Sequence, residues 1–256
     1  MKIGILTLPL HTNYGGILQA YALQTVLERM GHEVVVFDKP YLISRLSLKN
    51  IIVFFKHLIK KTLGIKSSFI NSKKHNKREN AKRRYTNVFI QKYIKRRLIN
   101  NYYQIKPYDY NAIVVGSDQI WRRRFMPCQD VRIAFLDFTR GWNIKRIAYA
   151  ASFGIDYWDF TEKGTNIIKE SISLFDAVSV REDSGVSLCK QYLGYNNAIQ
   201  VLDPTLLLER KDYESLIENS DNTYKPKEQL MLYVLDYNDK KKQFVSQVSN
   251  KLNLKP

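Results

Sequence analysis

Short apolar runs that alternate with amphipathic stretches constrain the fold of this 256-residue chain more than any other feature. The runs "KIGILTL" (2–8) and "EVVVFD" (33–38) have the composition of buried parallel strands, and between them Ala20, Leu23 and Leu27 follow a helical spacing. Four further runs are "AIVVGSDQIW" (112–121), "RIAYAASFG" (146–154), "FDAVSVRED" (175–183) and "IQVLDPTLLL" (199–208). Strands that alternate with helices predict an α/β fold with a doubly wound, mostly parallel, Rossmann-like sheet.

Most of these runs end in a cluster of Gly, Ser, Asp or Arg residues. The carboxyl ends of parallel strands meet at one edge of a sheet, which is where ligands bind in such folds. The sequence therefore predicts a site at this edge. Its candidate residues are Asn13, Gly15, Gly16, Ser117, Asp118, Gln119, Ser152, Arg181, Glu182 and Asp203.

The first cluster lies in "HTNYGGILQAYALQ" (11–24), which predicts a tight glycine turn followed by a helix that ends near Gly31. Free N–H groups at a helix start favour an anion, so the amides of Gly15 and Gly16 are candidate anion ligands. The alternative is that both glycines only permit a tight turn and close helix–sheet packing. Since the dinucleotide spacing G-x-G-x-x-G is missing, an NAD enzyme is disfavoured despite Asp38 at the end of the second run.

The later clusters carry side chains with a chemical use. Asp118 is a candidate for general acid/base work or for holding a sugar hydroxyl, with a turn or helix cap as the alternative. Arg181 can hold a carboxylate or phosphate through parallel hydrogen bonds, unless it only forms an ion pair with Glu182. Trp121 either stacks on a sugar or belongs to the core. The sequence "DPT" (203–205) is typical of a turn with a helix cap.

The net charge of +17 belongs to one segment, because 18 Lys and Arg and a single acid, Glu79, lie between Arg45 and Lys106. A local basic segment on a neutral framework indicates a polyanionic partner. Within it, residues 50–64 predict an amphipathic helix that either contacts an anionic membrane or packs on the domain with its lysines solvated. Nucleic acid is disfavoured, since the aromatic residues follow the charge run at 73–84 instead of interleaving with it.

Two further features concern the compartment. Cys128 and Cys189 are far apart, so neither a zinc site nor a disulfide framework is predicted. The N-terminus has no signal-peptide pattern. We therefore expect a cytoplasmic protein.

The predicted domain organisation has three parts. Residues 1–210 form a Rossmann-like N-terminal domain that includes a basic helical insertion at 42–108, and residues 211–227 form a linker. Residues 228–256 are expected to be the first strand and helix of an incomplete second domain.

Taken together, "NYGGILQAYALQ", "VVGSDQIW", "AYAASFG", "VSVREDSG" and "VLDPTLLL" resemble, in order and spacing, the polysaccharide pyruvyl transferase family. The resemblance runs from the first residue to about Leu208. It implies the N-terminal half of a two-domain, glycosyltransferase-B-like fold with a cleft between Rossmann-like halves. It also implies transfer of a pyruvyl group from phosphoenolpyruvate to a sugar of a cell-surface polysaccharide as a cyclic ketal, with no metal or other cofactor, in a form that is truncated and either active or inactive.

For that reaction Arg181 is expected to bind the anionic donor, and the amides of Gly15 and Gly16 the donor or an acceptor phosphate. Asp118 or Glu182 is expected to orient or deprotonate a hydroxyl. The implied acceptor is a saccharide, lipid-linked at the inner membrane face, which would make the protein peripherally membrane-associated. Two alternatives remain: a nucleotide-sugar glycosyltransferase of similar fold, and a non-enzymatic basic module that binds membrane or nucleic acid.

Overall fold

A computed structural model describes residues 1–39, 81–125, 130–219 and 229–254. Within these ranges it shows a sheet of seven parallel strands in the order β3-β2-β1-β4-β5-β6-β7. The strands are β1 (Lys2–Leu6), β2 (Glu33–Asp38), β3 (Arg96–Leu98), β4 (Ala112–Gly116), β5 (Lys145–Ala151), β6 (Ala177–Val180) and β7 (Ile199–Gln200). The α-helices are α1 (Tyr14–Arg29), α2 (Arg84–Tyr93), α3 (Val131–Ala134), α4 (Glu162–Ile172), α5 (Asp183–Leu193), α6 (Arg210–Glu218) and α7 (Asp239–Leu252). The predicted α/β, Rossmann-like fold is confirmed.

Helices cover both faces of the sheet, and β4 lies buried between them. Alternate residues of a strand point to opposite faces. Thus Ala112 and Val114 join the apolar cluster formed with α1 and α2, whereas Ile113 and Val115 join the cluster formed with α3, α4 and α5. A strand covered on both faces needs an unbroken apolar run, as the sequence of β4 has.

The connections leave β1 and β4 in opposite directions. β1 leads through α1 to β2 and the edge strand β3, while β4 leads to β5, β6 and β7 on the other side. Such a reversal between neighbouring strands opens a crevice at their carboxyl ends. The sheet order therefore places a ligand crevice beside residues 7–13 and 117–121.

The glycine pair was predicted in a turn before the helix, and this is wrong in detail. Helix α1 begins at Tyr14, so Gly15 and Gly16 belong to its first turn. The helix starts early because the Asn13 side chain caps it, accepting a hydrogen bond from the Gly16 N–H at 3.2 Å. The predicted end at Gly31 is confirmed, with φ of +83° at that residue.

Within the helical insertion predicted at 42–108, residues 84–93 do form a helix, α2, whereas residues 96–98 form the edge strand β3 of the sheet. This strand was not predicted from the sequence, because its arginine-rich run is typical of a solvated segment. In the fold these arginines are paired with carboxylates. Arg96 donates to the fully buried Asp38 carboxylate at 2.9 Å. Asp38 is therefore a structural residue. The helix predicted at 50–64 lies outside the described residues.

A second ion pair attaches β3 to the loop before β4. Arg97 donates to Asp109 at 2.8 Å, and the Lys106 N–H donates to the same carboxylate at 3.2 Å. The hydrogen bond from Arg97 holds the pKa of Asp109 below its ordinary value, against the opposing effect of burial. A carboxyl group with a depressed folded-state pKa stabilises the fold above its unfolded pKa and loses that contribution as the pH falls through the folded value.

Asp109→Asn is accordingly expected to lower the free energy of unfolding by about 1 kcal/mol at pH 7. The difference from the wild type should begin to shrink as the pH falls through the ordinary Asp value of about 4, and it should become small below the depressed folded-state pKa, where both chains lack the charge. Urea titrations at a series of pH values measure it, with the exposed Glu33→Gln as a control that changes little. A difference that stays constant down to pH 2 would contradict this role of Asp109.

The chain divides into two compact units, Met1–Glu209 and Arg210–Pro256. In the second unit helix α6 occupies the first half of the predicted linker, supported by an Arg210–Glu214 ion pair of 2.6 Å. The predicted final helix is present as α7. Of the strand predicted before it, Gln229 forms an isolated bridge and residues 230–238 form no strand. None of the helices in the described ranges combines the length and apolarity of a membrane span.

Candidate functional site

The loops that follow β1, β4, β6 and β7 converge on one cavity of about 230 Å³ at the carboxyl edge of the sheet. Its lining residues are Asn13, Gly15, Gly16, Gln19, Asp118, Arg181, Asp203 and Thr205. Six of the ten residues predicted for the site thus line this cavity. Gly15, Asp118 and Arg181, which lie far apart in sequence, meet there.

Arg181 is held by carboxylates on several sides. Its Nη1 donates to Asp203 Oδ2 at 3.1 Å, and its Nε donates to Glu182 Oε1 at 3.1 Å. Burial alone would lower the pKa of Arg181, but these two hydrogen bonds outweigh it and raise the pKa. The ion pair weighed as an alternative is therefore present. It leaves Nη2 without a hydrogen bond to any described residue, so the guanidinium can still donate a hydrogen bond to a ligand oxygen.

Of the three carboxylates around Arg181, that of Asp118 makes the fewest hydrogen bonds with described residues. Asp203 accepts from Arg181 and, through Oδ1, from the Thr205 N–H at 3.0 Å. Glu182 Oε1 accepts from Ser152 Oγ at 2.7 Å, while its Oε2 is shielded from solvent without a partner. The Asp118 side chain makes no hydrogen bond with a described residue and lies 3.7 Å from Arg181 Nη1. It is the carboxylate available to a substrate.

The backbone fixes Asp118 at the cavity wall. Its φ of +59° is left-handed, a conformation that Asp tolerates better than most residues. Its carbonyl oxygen accepts from the Ser152 N–H at 2.9 Å, which ties the end of β4 to the end of β5. Across the cavity, a Cβ on Gly16 would lie 3.5 Å from Asp118 Oδ2. Glycine at this position keeps the space next to the carboxylate open.

Gln19 is a lining residue that the sequence did not indicate as functional. It is 2% exposed. Its Nε2 donates to Thr7 Oγ1 at 2.8 Å and to the Gly16 carbonyl at 2.7 Å. Its Oε1 accepts from the Ser117 N–H at 2.9 Å and from Ser117 Oγ at 2.8 Å. One buried amide therefore joins the carboxyl ends of β1 and β4 and positions the residue before Asp118. The sequence did carry one indication of this role, because Gln19 is a polar amide on the largely apolar, buried face of α1.

Four predicted residues do not line the cavity. Ser117 and Ser152 are fully buried beneath it, and Glu182 reaches it only through Arg181 and Ser152. Gln119 instead accepts from Arg122 Nη1 at 3.0 Å. Ser117, Ser152 and Glu182 each hydrogen-bond a lining residue, whereas the Gln119 side chain bonds Arg122, which does not line the cavity.

Trp121 belongs to the core. It is fully buried, stacks on Phe135 with ring centroids 4.7 Å apart, and donates from Nε1 to the Ala134 carbonyl at 3.0 Å. It is not available to stack on a sugar. Across the described ranges no group of three His, Cys, Asp or Glu side chains is arranged to hold a metal ion.

Fold and cavity together define a Rossmann-like α/β protein with a mixed arginine–carboxylate site at the switch point of its sheet. A family model described as polysaccharide pyruvyl transferase matches residues 13–255. The chain belongs to the polysaccharide pyruvyl transferase family. No curated protein matches it.

Proposed function

We propose that the protein transfers a pyruvyl group from phosphoenolpyruvate to two hydroxyl groups of a saccharide, forming a cyclic ketal. The observation that supports this function is that one cavity holds a guanidinium and a carboxylate, and that neither the guanidinium Nη2 nor the carboxylate makes a hydrogen bond with a described residue. The donor needs a cation for its negative groups, and the acceptor needs a base for its hydroxyls.

The reaction balances without an oxidant or reductant. The methylene carbon of phosphoenolpyruvate takes up a proton and becomes a methyl group, which leaves the adjacent carbon electron-poor. One sugar hydroxyl adds to that carbon and a second displaces phosphate, which departs with its bridging oxygen. The two hydroxyls release two protons: one balances the proton added to the methylene carbon, and the other leaves with phosphate.

Asp118 is the proposed base, because it lines the cavity and its carboxylate, 3.7 Å from Arg181 Nη1, makes no hydrogen bond with a described residue. Arg181 binds the donor carboxylate or phosphate through Nη2. Glu182 and Asp203 are positioning residues that hold Arg181, and Asn13, Gly15 and Thr205 line the space for the acceptor. The Gly16 N–H is engaged by the Asn13 side chain, whereas that of Gly15 makes no hydrogen bond with a described residue.

The proposed context is that of a glycosyltransferase-B-like protein that works at the cytoplasmic face of a membrane. The acceptor is a lipid-linked saccharide, and the net positive charge of the segment between Arg45 and Lys106 attracts the anionic surface that carries it. Phosphoenolpyruvate is a substrate, and the scheme uses no metal or other cofactor.

Calorimetry with phosphoenolpyruvate tests the donor. Arg181→Gln is expected to weaken binding about 10- to 100-fold, which corresponds to the loss of one charged hydrogen bond. Arg140→Gln is the matched control, since Arg140 is also paired with an aspartate, Asp137, at 2.7 Å but lies outside the cavity. If both variants bind as the wild type does, Arg181 is not the donor ligand. If a nucleotide sugar binds in an Arg181-dependent way and phosphoenolpyruvate does not bind, the protein is a glycosyltransferase.

A further inference from the structure

Helix α2 presents a basic outer face, defined here as Arg84, Tyr85, Val88 and Lys92. All four residues are exposed, and Tyr85 and Val88 expose 74% and 59% of their surface. Residues 81–100 contain no Asp or Glu. The outer face therefore combines positive charge with exposed apolar surface.

The inner side of α2 is fixed to the domain, so the outer face cannot turn inwards. Thr86 and Ile90 are buried on the inner side. Tyr21 of α1 packs edge-on against Phe89 and Tyr93, with ring centroids 5.7 and 6.1 Å apart. The exposure of Tyr85 and Val88 is thus a fixed property of the fold.

The outer face begins next to the candidate site. Arg83, the residue before α2, is 8% exposed and donates from Nη2 to the Leu10 carbonyl at 2.9 Å. Leu10 lies in the loop that runs from β1 to Asn13 at the cavity. The first turn of α2 is therefore attached to the carboxyl edge of the sheet, where the cavity opens.

We propose that the outer face of α2 docks on an anionic lipid bilayer. Arg84 and Lys92 would contact lipid phosphates, while Tyr85 and Val88 enter the headgroup layer, as exposed apolar residues of interfacial helices do. Val88 adds apolar surface, which suits the headgroup layer of a bilayer better than the charged backbone of a nucleic acid, so the composition favours a bilayer. This inference rests on the membrane part of the proposed function and is independent of pyruvyl transfer, because lipid binding needs neither donor nor acceptor.

Flotation with vesicles of phosphatidylglycerol and phosphatidylcholine tests the proposal on the full chain. Arg84→Gln combined with Lys92→Gln is expected to lower the partition coefficient about 25-fold, or about fivefold per cation. Lys163→Gln with Lys169→Gln is the matched control: both lysines are exposed on α4, at the opposite face of the sheet. The control should float as the wild type does. Equal flotation of all three proteins would overturn the proposal.

A second variant, Tyr85→Ser with Val88→Ser, separates a bilayer from other polyanions. It is expected to lose vesicle binding several-fold while its binding to a short DNA duplex stays unchanged. Vesicle binding that is insensitive to this variant, together with duplex binding that falls in the Arg84 and Lys92 variant, would assign the face to nucleic acid. Neither outcome depends on phosphoenolpyruvate binding. If the membrane proposal is wrong, the calorimetric test of the transfer reaction is therefore unaffected.

Discussion

Asp118→Asn is expected to lower the rate of pyruvyl transfer about 10²- to 10⁴-fold, the usual contribution of a general base. Asparagine has nearly the same shape and tolerates the left-handed φ of +59° at this position, so the fold should persist. What is lost is the carboxylate that takes the proton from the attacking hydroxyl. Phosphate released from phosphoenolpyruvate in the presence of a saccharide acceptor measures the rate, and circular dichroism checks the fold.

Asp156→Asn is the control for this loss, because Asp156 is exposed and does not line the cavity. It should retain the wild-type rate. If Asp118→Asn keeps more than about a tenth of the activity while Glu182→Gln abolishes it, the base is Glu182. The role assigned to Asp118 would then be wrong.

Gln19→Leu is expected to lower the free energy of unfolding by about 3 kcal/mol. The substitution leaves the buried Ser117 N–H and the Thr7 hydroxyl without their Gln19 partner, while the Ser117 hydroxyl keeps only its 3.4 Å bond to Asp203 Oδ2. Each unsatisfied buried group costs roughly 1–3 kcal/mol. Since Ser117 precedes Asp118, the folded fraction should also lose activity. Urea unfolding gives the stability, and transfer rates at low temperature give the activity of the folded molecules.

Gln24→Leu separates these two effects. Gln24 lies on the same helix, is 3% exposed, and its amide bonds the Tyr93 carbonyl and the Lys95 N–H at 3.1 and 2.8 Å. Its loss should destabilise the protein as well, but it lies outside the cavity and should leave the folded fraction fully active. Equal activity per folded molecule in both variants would mean that Gln19 is only a structural residue.

The sequence was informative wherever a local pattern was sufficient. The apolar runs at 33–38 and 112–116 are β2 and β4 as expected, because strands buried on both faces need unbroken apolar residues. Strand-end clusters indicated Asp118, Arg181 and Asp203 because parallel strands bring their carboxyl ends to one edge.

Contacts between distant residues were beyond the reach of local patterns. The Gln19–Ser117 hydrogen bonds join residues 98 positions apart, and nothing near Gln19 in sequence indicates that partner. Strand β3 was missed because Arg96 and Arg97 resemble a solvated charge run until Asp38 and Asp109 are seen to pair with them. Residues 230–238, expected to continue a strand before α7, form none, and an apolar run alone does not specify a strand because its backbone groups also need a neighbour to pair with.

Hydrogen–deuterium exchange with phosphoenolpyruvate and an acceptor saccharide tests most directly whether the cavity is the reaction site. We expect slower exchange in residues 7–19, 117–120, 181–185 and 203–206, and no such protection in the Arg181→Gln protein. A second cavity, of about 420 Å³ and lined by Trp142, Asn143 and Lys145, serves as the internal reference. Protection at residues 142–146 with unchanged exchange in the four loops would contradict the assignment.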